Sequence, residues 1–508
     1  MGIVARQSIK GTIATYIGVA VGIVTTFFIQ TKALQPEQIG LIDVLLQCSI
    51  LFSGLAQLGT NSSAMRYYPF FKDEAHRDHG FFGWTLLVPL VGFAFFLLAF
   101  FLFKDAIVGF FSKDSSMFGD YVYFLIPLAF FMLYLSVFET NSNLLLRIVL
   151  PKFIREVGLR VGTLLIYLAY FYELIGFDGV VVAFCVMYGL ATLVNVVYLL
   201  SLKRVSFKIE LGYVSKEIKR DFLFYTLFMI TAALAGNVIP MLSKFFVAGM
   251  TGFRLAGVFA IATNIANLVE MPYRSLGAIS RPHISDAMAK QDIAQANSLC
   301  KNVALHQFIA GSFVFLMIWV NIDFIFDLLP NGEIYRLGKW AVLFLALGRL
   351  VYSTLGVTTT VLSYSKFYYY SLIFTVLLAT MSIGFNTWLV PKWDINGGAV
   401  ASVASYMLYF FLLIAFIKKK IGVQPFSGKM VPVLLVILAL FGLNWCWTSL
   451  LTPWFAGWFA KPIFGLMIDA VLKSLLLAIL GLTALYKLMV SQSVNDILDK
   501  GMMRLGLK

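Results

Sequence analysis

Charge is what this chain has least of. Aspartate, glutamate, lysine and arginine make up 13% of its 508 residues, against roughly 25% in soluble domains. So little charge cannot solvate a cytosolic enzyme or keep a chain disordered, and it excludes a nucleic-acid partner, which needs a basic soluble face. Cysteine is scarce as well: Cys48, Cys185, Cys300 and Cys446 stand far apart, in no spacing that suits a metal or a disulfide framework. Three of them lie in apolar runs and read as small fillers. A GxxxxGK[ST] phosphate loop is missing, so the chain is not expected to hydrolyse ATP. Neither a catalytic residue nor a metal is expected.

Apolar residues fill the space that charge leaves. They make up 60% of the chain, with a mean hydropathy of +0.88. A helix needs about 20 apolar residues to cross the hydrocarbon core. That length predicts an all-α integral membrane protein of about 14 spans, near 11–31, 40–65, 82–103, 121–146, 157–175, 179–201, 221–244, 254–275, 302–325, 338–363, 367–390, 397–417, 430–451 and 467–489. The net charge of +14 collects between the spans. With the N-terminus inside, basic residues in the cytoplasmic connections outnumber those opposite by about three to one, which places both termini in the cytoplasm. The first helix, after Arg6 and Lys10, lacks a cleavage site and is expected to be retained. The external loops are too short to fold as domains, which opposes a membrane glycosyltransferase or an O-antigen ligase. The polar connections 202–220 and 276–301 are each expected to form a short surface helix.

Three short matches recur at one separation. Gln38-Ile39-Gly40 parallels Leu255-Ala256-Gly257, Lys152-Phe153 parallels Lys366-Phe367, and Asp178-Gly179 parallels Asn396-Gly397, 214 to 218 residues apart. They predict that spans 1–6 and 7–12 are copies. Parallel repeats of this kind relate by a pseudo-two-fold axis along the membrane normal. The expected divisions are an N-terminal six-helix lobe at 1–204, a cytoplasmic connector at 205–220, a second six-helix lobe at 221–420, and two further helices with a short tail at 421–508.

Polar residues inside spans are costly and normally face a cavity or a partner. At 100° per residue, Asp43, Gln47, Gly54, Gln57 and Asn61 share one face of the second span. The fourth span groups Ser136, Glu139, Asn143 and Arg147; the seventh groups Thr226, Asn237 and Lys244. The eighth carries Thr263, Asn267, Glu270 and Arg274, and the tenth Arg349, Ser353, Gly356, Thr360 and Ser363. Local pairs, Glu139 with Arg147 and Glu270 with Arg274, would be the plain structural use of these charges. Arg349 has no acid within a turn, and a guanidinium cannot be neutralised. Together the stripes predict a water-filled cavity with several cationic groups. Elsewhere, Gly11, Thr15, Gly18, Gly22 and Thr25 form a small-residue packing face on the first span. His306 is expected to be a hydrogen-bonded structural residue, and Asp469 to pair with Lys473.

The opening from Ser8 to Gly11, the stretch Leu34 to Leu41, and Leu58-Gly59 through Arg66-Tyr67-Tyr68 resemble those of bacterial polysaccharide flippases of the multidrug/oligosaccharidyl-lipid/polysaccharide exporter superfamily. Gly257 to Ala262, Arg281-Pro282 to Ser285 and Lys290 to Asp292 are similar to that family's eighth span and following loop. The resemblance implies two six-helix lobes that alternate between inward- and outward-open states in the bacterial inner membrane. It implies a cargo of undecaprenyl-pyrophosphate-linked oligosaccharide, carried to the outer leaflet for surface polysaccharide such as O-antigen or lipopolysaccharide. The diphosphate or glycan would meet Arg349, Arg274, Arg147 and Arg66, with Asn61, Gln57, Asn143, Asn237 and Asn267 beside them. Ion coupling, by H+ or Na+, would run through Glu270, Glu139 or Asp43; no other cofactor is expected. Membrane lipids and glycan polymerase or assembly proteins are the implied partners of a monomer. The first span lacks the interior arginines of the lipid II branch, which favours a surface or capsular glycan. In that branch two extra helices form a groove for the lipid tail, a role open to spans 13 and 14. A multidrug or metabolite antiporter of the same superfamily is the alternative.

Overall fold

The computed structural model describes residues 15–73, 76–111, 115–202, 217, 220–222, 225–226, 241–457, 462–492, 495–496, 499 and 503. Among them there is no β-strand. Among the described residues ten helices are long and apolar enough to cross a membrane, or eleven if the bent pair Gly332–Leu355 and Val357–Ser363 is one span. In lipid a helix satisfies all of its backbone hydrogen bonds within one segment, so apolar runs of this length have one stable form. The chain divides into two compact units, Met1–Ala260 and Ile261–Lys508.

In the first unit, α1 (Thr15–Ala33) gives way to an extended Leu34 and Gln35. There the Gln38 side chain accepts the Gln35 N–H at 2.9 Å, a capping box that opens α2 (Pro36–Ala56) with proline in the first turn. The single second span expected over 40–65 is broken. Leu58 and Gly59 both take left-handed φ, 49° and 74°, and the chain restarts as α3 (Thr60–Tyr67). There follow α4 (Phe81–Phe110), α5 (Met117–Leu144), α6 (Leu159–Phe171), α7 (Phe177–Ser201) and α8 (Met241–Thr251). The helical turns 149–158 that lead into α6 contain a π-turn at Ile154–Gly158 and carry Arg155 and Glu156. The expected fifth span, 157–175, falls on the end of these turns and on α6, and is not among the ten apolar helices. The expected seventh span lies largely outside the described residues.

Aromatic rings fill this unit. Phe81, Phe82, Phe100, Phe118 and Leu133 are fully buried, and between lipid-soluble helices such close packing replaces release of water as the binding force. Glycine sets the tightest crossing. A Cβ on Gly257 of α9 (Phe253–Ala266) would lie 2.0 Å from the Pro36 carbonyl oxygen, and one on Gly40 would lie 2.1 Å from that of Phe253. The two glycines matched as repeat equivalents in the sequence thus pack on each other. The small face of α1 also finds its use: Arg160 Nη1 donates to the Gly18 carbonyl at 2.8 Å. Gly11 lies outside the described residues.

In the second unit, the eighth span tightens into a 3-10 turn at Asn267–Glu270 just before Pro272. It continues as α10 (Met271–Ala289). The connection expected to fold as a separate surface helix over 276–301 is therefore mostly a prolongation of the span. It turns at Gln291 (φ 56°), and Asp292 caps α11 (Ile293–Val320) by accepting the Gln295 N–H at 2.9 Å. Next come α12 (Lys339–Leu355) and α13 (Val357–Ser363). The helical stretch α14 (Tyr370–Lys420) breaks at Trp393 and Asp394. Phe374 and Phe416, which a straight helix would hold about 63 Å apart, have ring centroids 5.4 Å apart, so this stretch is a hairpin of two helices, as the eleventh and twelfth spans require. The last long helices among the described residues are α15 (Met430–Leu450) and α16 (Pro462–Lys487).

Candidate functional site

Each unit carries an ion pair set within apolar helices. In the first, Lys244 Nζ donates to both oxygens of Asp43, at 2.9 and 3.0 Å, with the side chains 12% and 21% exposed. Gln47, one turn along α2, donates to the same carboxylate at 3.4 Å. Further along, Gln57 and Asn61 both donate to Ser136 Oγ, at 3.0 and 2.9 Å. The polar stripes of the second and fourth spans therefore meet face to face.

Glu139, the acid of the fourth-span stripe, bonds Arg155 at 2.6 Å. The local alternative was Arg147, but Leu146 takes φ 58° and turns Arg147 out of helical register. Arg147 is exposed, its backbone N–H bonded to the Ser142 carbonyl at 2.9 Å. Asn143 is half-buried near the end of α5.

Arg66, in the last turn of α3, lies against two aromatic rings. Its guanidinium lies 4.3 Å from the Tyr225 ring centroid and 5.5 Å from that of Tyr67, with the Asp221 carboxylate 3.9 Å away. The Tyr67 hydroxyl donates to Asp221 at 2.5 Å. Burial, reinforced by that hydrogen bond, pushes the Tyr67 phenol up to about 12. Stacking between rings suits a planar, weakly hydrated cation.

In the second unit, Arg349 on α12 donates to Glu270 at 3.0 Å, the side chains 18% and 14% exposed. The sequence expectation of an uncompensated guanidinium is corrected here, because the acid comes from 79 residues upstream. Tyr406 lies within electrostatic reach of both charges, and Tyr352 links it to Tyr273 through ring contacts of 5.4 and 5.8 Å. In the same 3-10 turn as Glu270, Asn267 holds its buried Oδ1 without a hydrogen-bond partner among the described residues. The Arg274 side chain and all of Asn237 lie outside the described residues.

This unit also holds a cavity of about 380 Å³ lined by residues that include Trp319, Lys339, Asn444, Trp445, Asp469 and Lys473. Asp469 and Lys473 pair at 3.5 Å, as expected from their spacing. Trp447 and Thr452 also donate to Asp469, at 2.6 and 3.0 Å. His306 Nε2 is 2.8 Å from Ser491 Oγ, the structural hydrogen bond anticipated for it.

Sequence reasoning did not single out Arg155, Asp221 or Tyr225, nor the tyrosines around Arg349. Arg155 and Asp221 sit where apolar runs end, which reads as ordinary interface charge. Tyrosine in an apolar run reads as core.

No protein-family model matches the chain, and no curated protein does so significantly. Solved structures do. The chain is similar to the lipid II flippase MurJ in an inward closed conformation, with a TM-score of 0.69 at 11% identity over 96% of this chain and 100% of that one. It is similar to an inward-facing multidrug resistance MATE family transporter of the MOP superfamily, with a TM-score of 0.60 at 17% identity over 80% and 98%. A MOP superfamily transporter from Pyrococcus furiosus, described as having a binding pocket of reverse polarity, gives 0.55 at 15% identity over 83% and 95%. At these identities the likeness establishes the fold. Among the described residues the chain is all-helical, and it shares the fold of these solved transporters.

Proposed function

We propose that this chain is a flippase that moves an undecaprenyl-pyrophosphate-linked oligosaccharide from the inner to the outer leaflet by alternating access, as one step of surface polysaccharide synthesis. The observation that carries the reading is the Arg349–Glu270 pair, a guanidinium held within apolar helices of a chain that shares its fold with a lipid II flippase over 96% of its length. Without cargo, Glu270 neutralises Arg349 and offsets the cost of desolvating a lone cation. A diphosphate competes for the same guanidinium, which it can grip through two parallel hydrogen bonds. Glu270, displaced, then takes up a proton or a sodium ion, and this is the step that couples an ion gradient to transport. Lys244 with Asp43, and Arg155 with Glu139, repeat the arrangement.

Arg66, Arg147 and Arg274 add cationic contacts in this reading. Gln57, Asn61, Asn143, Asn237 and Asn267 supply amides for sugar hydroxyls. The protein works as a monomer in a bacterial inner membrane with both termini in the cytoplasm, alongside glycan polymerase and assembly proteins, and performs no covalent chemistry. α15 and α16 are free to guide the lipid tail.

A second reading, a cation-coupled antiporter, is favoured by the MATE likeness and by the carboxylates of Asp43 and Glu270. Depletion of the protein in its native cell separates the two. Accumulation of a completed, inward-facing lipid-linked glycan with loss of surface polysaccharide supports the flippase. Normal surface glycan with new sensitivity to small amphipathic toxins assigns the antiporter.

A further inference from the structure

The loop between the 3-10 turn Tyr68–Phe70 and α4 carries a cluster that transport does not use. Asp73, His76 and His79 offer one carboxylate oxygen and two imidazole nitrogens, all within 4.8 Å of one another. His76 Nδ1 stands 2.8 Å, and His79 Nε2 3.4 Å, from the same oxygen of Asp73. The two imidazole rings are stacked, with centroids 5.2 Å apart. Zinc bonds nitrogen and oxygen at about 2.0–2.1 Å, so tetrahedral donors lie about 3.3 Å apart. The His79–Asp73 edge already has that length, and the His76–Asp73 edge needs to open by about half an ångström.

The backbone holds this geometry at a cost. Asp78, His79 and Gly80 take successive left-handed φ of 54°, 48° and 72°, a conformation that strains the first two, which carry a Cβ. This turn is what brings His79 back toward Asp73. Asp78, 4% exposed, locks it: one carboxylate oxygen accepts the Asp73 N–H at 2.9 Å, and the other accepts the Tyr68 hydroxyl at 3.1 Å. The Asp78 N–H returns to the Asp73 carbonyl at 2.8 Å, and that of His79 to the His76 carbonyl at 3.1 Å. The second oxygen of Asp73 accepts the His76 N–H at 3.4 Å. Strain of this kind persists only where surrounding contacts over-determine it, and it concentrates at sites that bind something.

We propose that Asp73, His76 and His79 form a binding site for a divalent transition metal, Zn2+ foremost. Two neutral imidazoles and a carboxylate suit zinc, whereas calcium and magnesium call for oxygen donors throughout. Three protein ligands leave a fourth position for water or for a further donor. The ion ties three points of a seven-residue turn and rigidifies the link from α3 to α4.

The test uses the full chain in detergent, stripped with a chelator, then equilibrated with Zn2+ and assayed for bound metal by mass spectrometry. One equivalent of zinc is expected. His76→Ala, at a side chain 65% exposed and so harmless to folding, is expected to weaken binding at least about tenfold. Asp73→Asn is expected to do the same. Co2+ in place of zinc is expected to give the intense visible absorption of a four-coordinate ion without a thiolate charge-transfer band. The proposal is overturned if the wild type binds less than one equivalent, if both variants bind zinc as tightly as the wild type, or if a thiolate band puts the metal on the cysteines.

Discussion

Replacing Arg349 by alanine leaves the Glu270 carboxylate facing an apolar gap with its side chain 14% exposed. At a charge separation of about 4 Å and an effective dielectric near 20, the lost attraction is about 4 kcal/mol. Truncating one partner of a buried pair costs about 3–5 kcal/mol for the same reason, since the survivor stays desolvated without compensation. Glu270→Gln strands the guanidinium in turn. The double replacement Arg349→Met with Glu270→Leu removes both charges together with both desolvation penalties, so its stability is expected within about 2 kcal/mol of wild type or above it. The cycle of wild type, Arg349→Met, Glu270→Leu and the double variant is thus strongly non-additive, with a coupling of about 3 kcal/mol or more. Unfolding in detergent micelles measures stability, and the leaflet distribution of the lipid-linked glycan in depleted cells measures transport. Arg349→Ala and the double variant should both reach the membrane, and both should fail to transport. Additive stabilities would refute the ion-pair energetics, and surface glycan restored by the double variant would refute the diphosphate role of Arg349.

Two further perturbations test other parts of the first unit. Gly257→Ala places a Cβ 2.0 Å from the Pro36 carbonyl oxygen, so α2 and α9 must part by more than an ångström; a loss of about 1–3 kcal/mol is expected, read as a lower unfolding midpoint, and an unchanged midpoint would disprove the tight crossing. The Tyr67 phenol, raised from 10.0 to about 12, stabilises the fold fully below pH 10, and its contribution fades as pH climbs toward 12. The stability difference between wild type and Tyr67→Phe should therefore hold steady below pH 10 and shrink between pH 10 and 12, and a difference that stays level throughout would count against the Tyr67–Asp221 hydrogen bond.

How much of the site was legible depended on the distance in sequence between partners. Asp469 and Lys473 lie four apart on one helix, and helical geometry alone pairs them. The stripe of Gln57 and Asn61 was visible from periodicity, but its partner Ser136 lies 75 residues or more downstream. Arg349 looked solitary because its acid is 79 residues away, and Lys244 meets Asp43 across 201. The convergence of Asp73, His76 and His79 was not legible for a different reason. These residues span only 73–79, but they converge through left-handed turns at Asp78 and His79, which neither a helical nor a strand period describes.

The class of the protein was set by composition. A bilayer admits few structures that satisfy the backbone internally, so runs of about 20 apolar residues can only be helices, and local sequence suffices to find them. The break at Leu58-Gly59 was not among the expectations, whereas Pro272 marked the turn where the eighth span tightens. Which charged face meets which was decided by the tertiary structure alone. An ion pair forms between groups that packing brings within about 4 Å, and packing is settled by shape along whole helices, as where Gly40 and Gly257 let two backbones touch. A single sequence records which side chains can bear charge; only the folded chain determines which of those charges are neutralised and which remain to be offered to a ligand.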